Sequence, residues 1–341
     1  MILSIICPTY NEEKYIADTL DSFLSQKYHS FELEILICDG RSTDETRKII
    51  EEYSNRYPFI RMIDNPERKT PFAFNAGLKS AKGEYVAILG AHAKYQQDYL
   101  QVCYEELIKS GAAGCSGRII TKSSSGRYEP KLCEWVSLSI FGVSSNSSRT
   151  IKEGYAHSVP YPVFKKQVLL DLGGYDNTLE RNQDNDMNQR ILDAGHTLYS
   201  TWKTWCYYRP PSDLKALMKY AVKNGFWNAK SVRIHARSMR IHHFIPFFFT
   251  LGLILLGVAG LTELLLLKST WLLSVFGLFV SMHLLLGLLF TIRSLKYEND
   301  GRKIVLPFVF FAFHFSYGWG TLKGFLQGYN AQPKLNTRYQ S

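Results

Sequence analysis

The stretch Leu33-Glu-Ile-Leu-Ile-Cys-Asp-Gly-Arg-Ser-Thr-Asp-Glu45 joins a short apolar strand to the polar start of a helix. The same order occurs on either side of it. Residues 3–7 form an earlier apolar strand that ends at Pro8, and residues 85–89 form a later one that ends at Gly90. Segments with helical apolar spacing lie between the strands. This alternation predicts an α/β fold with a mostly parallel sheet.

Polar residues follow these strands where each strand ends. The segments 8–12 and 90–93 and the acid Asp39 all lie beyond the carboxyl ends of predicted parallel strands, where ligands of such sheets bind. The sequence contains neither a Gly-x-Gly-x-x-Gly loop nor a Gly-Lys-Ser phosphate loop. Asp39 can accept hydrogen bonds from a base or ribose, and Arg68 and Lys69 offer cations for a diphosphate. The pattern favours a nucleotide diphosphate ligand.

Two acids lie in the polar stretch Glu180-Arg-Asn-Gln-Asp-Asn-Asp-Met-Asn-Gln-Arg190, just before a helical apolar pattern that ends at Gly195. Helix starts favour carboxylates, so either acid can be a simple cap. A carboxylate at a helix start is also well placed to act as a general base on a hydroxyl. Asp184 and Asp186 are two residues apart and point in different directions, so we expect them to have different roles.

The last third of the chain is much more apolar than the rest. Residues 244–267 and 271–292 are long enough to cross a bilayer, and residues 304–322 form a shorter, more aromatic segment that either spans or re-enters. Met1 leads directly into a strand, so we expect no signal peptide. The six cysteines lack paired spacing, which suits a reducing compartment.

The net charge of +10 is concentrated before the first apolar run. Cations recur there at steps of three, four and seven, which places them on one face of a helix: Lys215, Lys219, Lys223, Lys230, Arg233, Arg237 and Arg240. This predicts an amphipathic helix, with a break at Gly225, on an anionic membrane surface. A solvated basic face is the alternative, and the adjacent spans disfavour nucleic-acid binding.

These features divide the chain into four parts. We expect a catalytic domain over residues 1–213, a basic interfacial region over 214–243, membrane segments over 244–323 and a tail over 324–341. The loop after the first span carries one cation, Lys268. The loop after the second carries four, namely Arg293, Lys296, Arg302 and Lys303. The positive-inside rule therefore predicts a multi-pass protein of the inner, plasma membrane with a cytosolic catalytic domain.

The chain resembles a known enzyme family. The segments Pro8-Thr-Tyr-Asn-Glu12, Cys38-Asp-Gly-Arg-Ser-Thr-Asp44, Asn75-Ala-Gly77 and Gly83-Glu-Tyr85 are similar to those of the family 2 inverting glycosyltransferases, which have a GT-A fold. Arg181-Asn-Gln-Asp-Asn-Asp186 resembles the branch that contains the succinoglycan-type exopolysaccharide glucosyltransferases. The similarity covers residues 1 to about 230.

The resemblance implies roles for several residues at the predicted donor site. Those expected to bind the donor, a uridine-type nucleotide sugar, are Pro8, Thr9, Tyr10, Glu12, Asp39, Arg68, Lys69 and Ala91. Asp184 would be the general base. Gln183, which replaces the usual Glu, would face the acceptor together with Asp186 and Trp227. An interfacial anchor is the alternative role for Trp227.

The chain departs from the family at the expected metal site. The usual Asp-x-Asp, which binds a divalent metal, is replaced by Gly90-Ala91-His92. His92 alone is a poor ligand for Mg²⁺, which prefers oxygen, whereas Mn²⁺ tolerates imidazole better. Three alternatives remain open. A metal is held by His92, the diphosphate and water; Arg68 and Lys69 replace it; or the protein is catalytically weak or inactive.

The expected function is transfer of a sugar from a nucleotide diphosphate donor to a lipid-linked or growing glycan, in exopolysaccharide, capsule or lipopolysaccharide synthesis. The expected partners are the donor, the acceptor, membrane lipids and other polysaccharide-assembly proteins, with no nucleic acid. A polyprenyl-phosphate sugar synthase and an inactive GT-A scaffold protein are the alternatives. We do not expect a processive synthase, because three spans are too few to build a glycan channel from one chain.

Overall fold

The computed structural model of the protein describes residues 1–91, 93–123, 127–143 and 152–327. It divides into two compact units. Among the described residues, the first unit contains 1–120 and 152–209, and the second contains 121–143 and 210–327. The division after residue 209 lies close to the predicted boundary at 213. Residues 121–143 differ from the prediction, because they belong with the second unit.

The first unit is built on a sheet with nine strands in the described part of the chain. The strands are β1 Ile2–Thr9, β2 Glu32–Asp39, β3 Ile60–Asp64, β4 Tyr85–Ile88, β5 Ala93–Tyr95, β6 Gly114–Thr121, β7 Gly154–Ala156, β8 Val163–Lys165 and β9 Leu198–Tyr208. Their spatial order is β3-β2-β1-β4-β8-β6-β9-β5, and β7 pairs with β9.

The predicted parallel core of this sheet is confirmed. Strands β1 to β4 pair in parallel, and the side chains of Leu3, Ile5 and Ile35 are fully buried, as expected of strands covered on both faces. Strand β8 then pairs antiparallel with β4, and β5 and β7 pair antiparallel with β9. The result is a mixed, mostly parallel GT-A sheet.

A buried carboxylate joins three of the parallel strands. Glu34 of β2 accepts hydrogen bonds from Ser4 Oγ at 2.6 Å, from Arg61 of β3 at 2.6 Å and from the N–H of Lys82 at 2.9 Å. Burial opposes ionisation, but these bonds outweigh it and hold the pKa of Glu34 below its ordinary value. The ionised carboxylate therefore fixes these strands relative to one another.

The helices flank the sheet in the first unit and form the whole of the second. The first unit has α1 Ile16–Leu24, α2 Thr46–Arg56, α3 Thr70–Ser80, α4 Tyr99–Ser110, α6 Lys166–Asp171 and α7 Gln183–Asp193. The second has α5 Tyr128–Leu138, α8 Leu214–Ile234, α9 Ile245–Leu267, α10 Trp271–Leu295 and α11 Leu306–Leu326. By length and composition, α9, α10 and α11 are each able to cross a membrane.

The predicted basic helix is α8, and it differs from the prediction at one residue. The helix continues through Gly225. Glycine is needed there because α11 packs so closely that a Cβ would clash with the carbonyl oxygen of Tyr317. Leu217 and Ala221 are buried in a cluster with α5 and α11, which confirms the amphipathic pattern. Contact of the opposite, basic face with a membrane stays a prediction.

Candidate active site

The carboxyl ends of the parallel strands meet at one edge of the sheet. Thr9 lies opposite Asp39 in the register of β1 and β2, and Asp39 lies opposite Asp64 in that of β2 and β3. The N–H of Gly40 donates to the carbonyl of Thr9 at 2.8 Å, and the N–H of Asn65 donates to the carbonyl of Asp39 at 2.8 Å. The loops that follow the strands therefore begin side by side, as the sequence predicted.

Asp39 occupies this edge but faces inward. Its side chain is fully buried. One carboxylate oxygen accepts from Ser42 Oγ at 2.6 Å, and the other accepts from the Ser42 N–H at 3.1 Å and from Arg47 at 2.9 Å. The predicted direct contact with a base or ribose does not fit this arrangement. The carboxylate instead organises the loop between β2 and α2.

That loop and the start of α2 are joined to the loop after β1 by several hydrogen bonds. Asn11, in the left-handed region at φ 54°, accepts from the Thr43 N–H at 2.9 Å and donates its own N–H to Ser42 Oγ at 2.9 Å. The N–H of Glu12 donates to Thr46 Oγ1 at 2.7 Å. Asn tolerates this backbone conformation better than most residues. The two loops therefore form one rigid support.

Tyr10 gives this support an exposed aromatic ring. Its side chain is 43% exposed, whereas the neighbouring Thr9 is 4% exposed. The Tyr10 ring lies over Gly40, where an added Cβ would be 3.1 Å from Cδ2. Arg68 places its guanidinium 6.0 Å from the centroid of the same ring. An exposed aromatic ring with a cation beside it offers a flat surface and a positive charge to a ligand.

The next residue, Lys69, turns toward the predicted catalytic stretch. Its ammonium lies 2.9 Å from Glu180, with both side chains about half exposed. The two consecutive cations therefore extend from one loop in two directions. Arg68 points to the aromatic support and Lys69 points to the segment that precedes α7. Both remain accessible to an anionic ligand.

Residues 174–177 hold that segment against α3. Asn75 of α3 donates to the carbonyl of Tyr175 at 2.8 Å and to Asn177 at 2.9 Å, and it accepts from the N–H of Tyr175 at 2.8 Å. The backbone then reverses at Asn182, at φ 62°, and α7 begins. Asn75 therefore fixes the approach to Asp184 relative to the strand ends.

Asp184 lies in the first turn of α7 with its side chain exposed. One oxygen accepts from the N–H of Asn185 at 2.9 Å. Desolvation by the surrounding protein raises the pKa of Asp184, although the Asn185 N–H and the charge of Arg181 oppose the change. An exposed carboxylate with a raised pKa is a suitable proton acceptor.

The second acid of the stretch has a different environment. Asp186 is 2% exposed, and Arg190 donates to it at 2.9 Å. Arg190 also donates to the carbonyl of Leu172 at 2.9 Å. These contacts attach α7 to the preceding segment. They indicate a structural role for Asp186 and correct its predicted contact with the acceptor.

The other predicted residues are placed as follows. Ala91 is buried, and its carbonyl accepts from Thr19 at 2.8 Å. Gln183 is half-buried, and its Oε1 accepts no hydrogen bond among the described residues. Trp227 lies in the second unit on α8, with Lys230 5.1 Å from its ring. Pro8 lies half-buried at the end of β1.

The described residues do not fit the metal site of the family. His92 lies outside them, and within the described ranges there is no group of three His, Cys, Asp or Glu side chains able to hold a metal. At Gly90 an added Cβ would be 3.1 Å from the Tyr161 ring. Tyr95 Oη also bridges the N–H and the carbonyl of Gly90. A side chain at position 90 would therefore crowd the Tyr161 ring.

Four residues of the site escaped the sequence prediction. Arg47 neutralises Asp39, Asn75 positions the segment before α7, Tyr161 faces Gly90, and Glu180 pairs with Lys69. Asn75 belongs to a quoted family motif, and Arg47 is the second residue of the helix after Asp39, so a signal existed for both. Tyr161 and Glu180 reach the site only through tertiary contacts.

Known proteins resemble this chain over most of its length. A dolichyl N-acetyl-alpha-D-glucosaminyl phosphate 3-beta-D-2,3-diacetamido-2,3-dideoxy-beta-D-glucuronosyltransferase of Methanococcus voltae is 31% identical over 335 residues, which cover 96% of this chain and 98% of that protein. A succinoglycan biosynthesis protein of Rhizobium meliloti is 25% identical over 245 residues, 71% of this chain and 73% of its own.

The fold and the sequence also match at the family level. A mannosyltransferase from Pyrobaculum calidifontis, solved with GDP-Man and Mn²⁺, superposes with a TM-score of 0.57 at 18% identity and covers 93% of this chain and 87% of its own. The family described as glycosyl transferase family 2 matches residues 4–160. With the full-length similarity to the Methanococcus enzyme, the chain belongs to glycosyl transferase family 2.

Proposed function

We propose that this glycosyltransferase moves a sugar from a nucleoside diphosphate donor to a saccharide carried on a lipid, at the cytosolic face of the plasma membrane. The observation that carries the proposal is the exposed carboxylate of Asp184 at the start of α7. It follows a segment that Asn75 and the pair of Lys69 with Glu180 attach to the donor side.

The donor would lie along the loops after β1, β2 and β3. Tyr10 offers its ring to the base, and Arg68 and Lys69 offer charge to the diphosphate. Arg68 is already next to the ring, whereas Lys69 must exchange Glu180 for phosphate. Because both cations are exposed, this exchange requires little desolvation.

The reaction would be a direct displacement that inverts the anomeric carbon. The acceptor hydroxyl oxygen forms the new bond to that carbon while its proton moves to Asp184. The bond from carbon to the diphosphate oxygen breaks, and the nucleoside diphosphate leaves with the electron pair. The cations Arg68 and Lys69 stabilise the charge that develops on the leaving group. This assigns the proton and the leaving-group charge to residues of the chain itself.

Gln183 is the proposed acceptor contact of the first unit, and a role in acceptor binding for Trp227 of the second unit stays a prediction. Oε1 of Gln183 is an acceptor without a partner among the described residues and lies one residue from the base. The lipid-linked acceptor is supported by the similarity to the Methanococcus enzyme, which is named for transfer to a dolichyl N-acetyl-alpha-D-glucosaminyl phosphate. Helices apolar enough to cross a membrane support it too. Other polysaccharide-assembly proteins remain proposed partners.

The transfer assay described below tests whether activity requires a divalent metal. The Pyrobaculum enzyme was solved with Mn²⁺, but the carboxylate expected at position 90 is absent here and a side chain there would crowd the Tyr161 ring. No step above depends on a metal. We propose that any ion used is bound mainly by the diphosphate, with His92 as its protein ligand.

The test is a transfer assay with full-length protein in detergent or vesicles. A panel of nucleotide sugars is supplied with either a polyprenyl-linked monosaccharide or free polyprenyl phosphate, and with Mn²⁺, Mg²⁺ or chelator. We expect release of nucleoside diphosphate and consumption of the lipid-linked saccharide.

Each other outcome favours a different activity. Consumption of free polyprenyl phosphate would identify a polyprenyl-phosphate sugar synthase, and long polymer made from donor alone would identify a processive synthase. No donor binding under any metal condition would identify an inactive scaffold protein. The Asp184→Asn variant separates transfer from contaminating hydrolysis, since only the former should be lost.

A further inference from the structure

The two ends of α11 can be located relative to the helical hairpin that α9 and α10 form. Helices α9 and α10 are antiparallel, because Gly252 lies against Phe279 and Gly260 lies against Leu273. The first residues of α9 and the last residues of α10 are therefore on the same side of the membrane that the hairpin would cross. The turn between residues 267 and 271 is on the other side.

The start of α11 is attached to the end of α10. Lys303, just before α11, donates to the carbonyl of Ser294 at 3.0 Å. Pro307 packs on Gly287, where an added Cβ would be 3.1 Å from the Pro307 Cα. The first turn of α11 is thus on the side where the chain leaves α10.

The end of α11 is on that same side. The Phe325 ring lies 6.1 Å from Phe244 and 5.4 Å from Phe247, at the start of α9. Arg233 at the end of α8 donates to the carbonyl of Phe325 at 2.7 Å. A third span would instead bring this end near Leu267 and Trp271, on the opposite side.

The contacts in the middle of α11 show that it crosses the hairpin. From Pro307 to His314 the helix advances seven residues, while its contact on α10 moves four residues, from Gly287 to His283. His283 and His314 share a hydrogen bond of 2.9 Å at the crossing. Helices that run side by side would advance equally on both partners.

The two faces of α11 have different surroundings. One face packs so closely on α8 that a Cβ added at Gly320 would clash with the carbonyl oxygen of Val222. The other carries an exposed apolar stripe at steps of four and seven, counted from the turn before the helix: Ile304 73%, Phe308 66%, Phe315 39%, Trp319 38% and Leu326 77% exposed. A helix with this distribution suits the plane of a membrane interface.

We infer that α11 is not a third span but an interfacial helix. Its apolar stripe faces the acyl chains of the leaflet from which the chain enters α9. The side chains of the stripe are apolar and exposed, like Phe248 of α9 and Leu289 of α10, and all of them need contact with lipid. The cations of α8, which packs on the opposite face of α11, are suited to the headgroups of the same leaflet.

The distribution of charge supports this topology independently. A spanning α11 would carry Lys323 of its last turn to the side of the hairpin turn, where Lys268 is the cation of the connecting loop. An interfacial α11 keeps Lys323 with Arg293 and Lys296. The positive-inside rule favours the second arrangement. The chain then has two spans, and residue 327 is on the side of α8.

The first test is cysteine labelling of the full-length protein in intact cells and in inverted vesicles. The six native cysteines are all buried, so their background is low. Gln327→Cys is compared with Thr270→Cys in the hairpin turn and with Asn299→Cys between α10 and α11, all exposed positions. With a membrane-impermeant maleimide, we expect the first variant to label as Asn299→Cys does. Labelling of Gln327→Cys together with Thr270→Cys would overturn the inference.

The second test measures the depth of α11 in the membrane. It distinguishes an interfacial helix from a span even if Gln327→Cys is labelled from neither side. A bimane label on Phe308→Cys, Phe315→Cys or Leu326→Cys is quenched by lipids with a spin label at a shallow or a deep acyl position. Leu255→Cys, exposed in the middle of α9 and beyond the residues that α11 contacts, is the deep control. We expect the three α11 positions to share one shallow depth. A Phe315 label as deep as the control, between two shallow ends, would show a span.

Discussion

Replacement of Asp184 by Asn should abolish transfer while leaving the fold intact. The amide oxygen of Asn can still accept the Asn185 N–H, which Asp184 accepts at 2.9 Å, so the first turn of α7 keeps its geometry. The proton acceptor is lost. General-base catalysis contributes about 10²- to 10⁴-fold, so we expect a loss of that size in kcat, equivalent to about 3–5 kcal/mol of activation free energy.

The matched control is Asp186→Asn, two residues away. The Asp186 carboxylate is buried and paired with Arg190, so its replacement leaves a guanidinium without its carboxylate. Breaking a buried pair costs about 3 kcal/mol or more. For a unit of this size, that lowers the unfolding temperature by roughly 6–12 °C. We expect residual activity per folded molecule to stay far above that of Asp184→Asn.

The pH dependence distinguishes the two variants further. Because desolvation by the surrounding protein raises the pKa of Asp184 and only the ionised form accepts a proton, the rate should fall as pH drops through a value above that of an ordinary carboxyl. This acid limb should persist in Asp186→Asn and be missing from whatever activity Asp184→Asn retains. Nucleoside diphosphate release measured from pH 4 to 9 tests it. An unchanged acid limb in Asp184→Asn would refute the assignment of the base.

Three further changes have defined expectations. Gly90→Asp places a side chain 3.1 Å from the Tyr161 ring, so we expect about 1–3 kcal/mol of destabilisation, partly relieved by adding Tyr161→Ala, as read from thermal melts. Gly225→Ala should lower the melting temperature in detergent by several degrees, whereas Gly277→Ala, with open space around it, should not. The stability that ionised Glu34 contributes to the wild-type protein should be lost as the pH falls below about 4.3, the pKa of an ordinary glutamate, and through the lowered pKa of Glu34 in the folded state. Glu34→Gln should therefore give a flatter melting profile between pH 5 and 3.

The sequence predicted the parallel core well because its signals are local. Each strand of that core is a short apolar run with a turn residue at its end, and the strand ends converge as the topology requires. Three of the antiparallel strands, β5, β7 and β8, were missed because they have three residues each and show no periodicity. Helix α5 was missed because its apolar face packs on helices distant in sequence.

The sequence predicted where the candidate site lies, but it did not predict which of its side chains are exposed and which are buried. Asp39 follows β2 as expected, but whether its carboxylate faces a ligand or the interior depends on Arg47, which the motif does not specify. Asp184 and Asp186 have the same chemistry and nearly the same location. The turn at Asn182 leaves one exposed and the other buried. Such choices are made by packing and not by residue type.

The attachment of α5 to α11 has a consequence for how the chain is made. Leu132 and Val136 of α5 share a buried cluster with Leu306 and Phe310, which leave the ribosome far later. At about 5–20 residues per second, the intervening segment takes roughly 10–30 s to synthesise. During that interval the apolar face of α5 is uncovered in the nascent protein. Shielding by chaperones or early docking at the translocon is therefore needed until the last helix arrives.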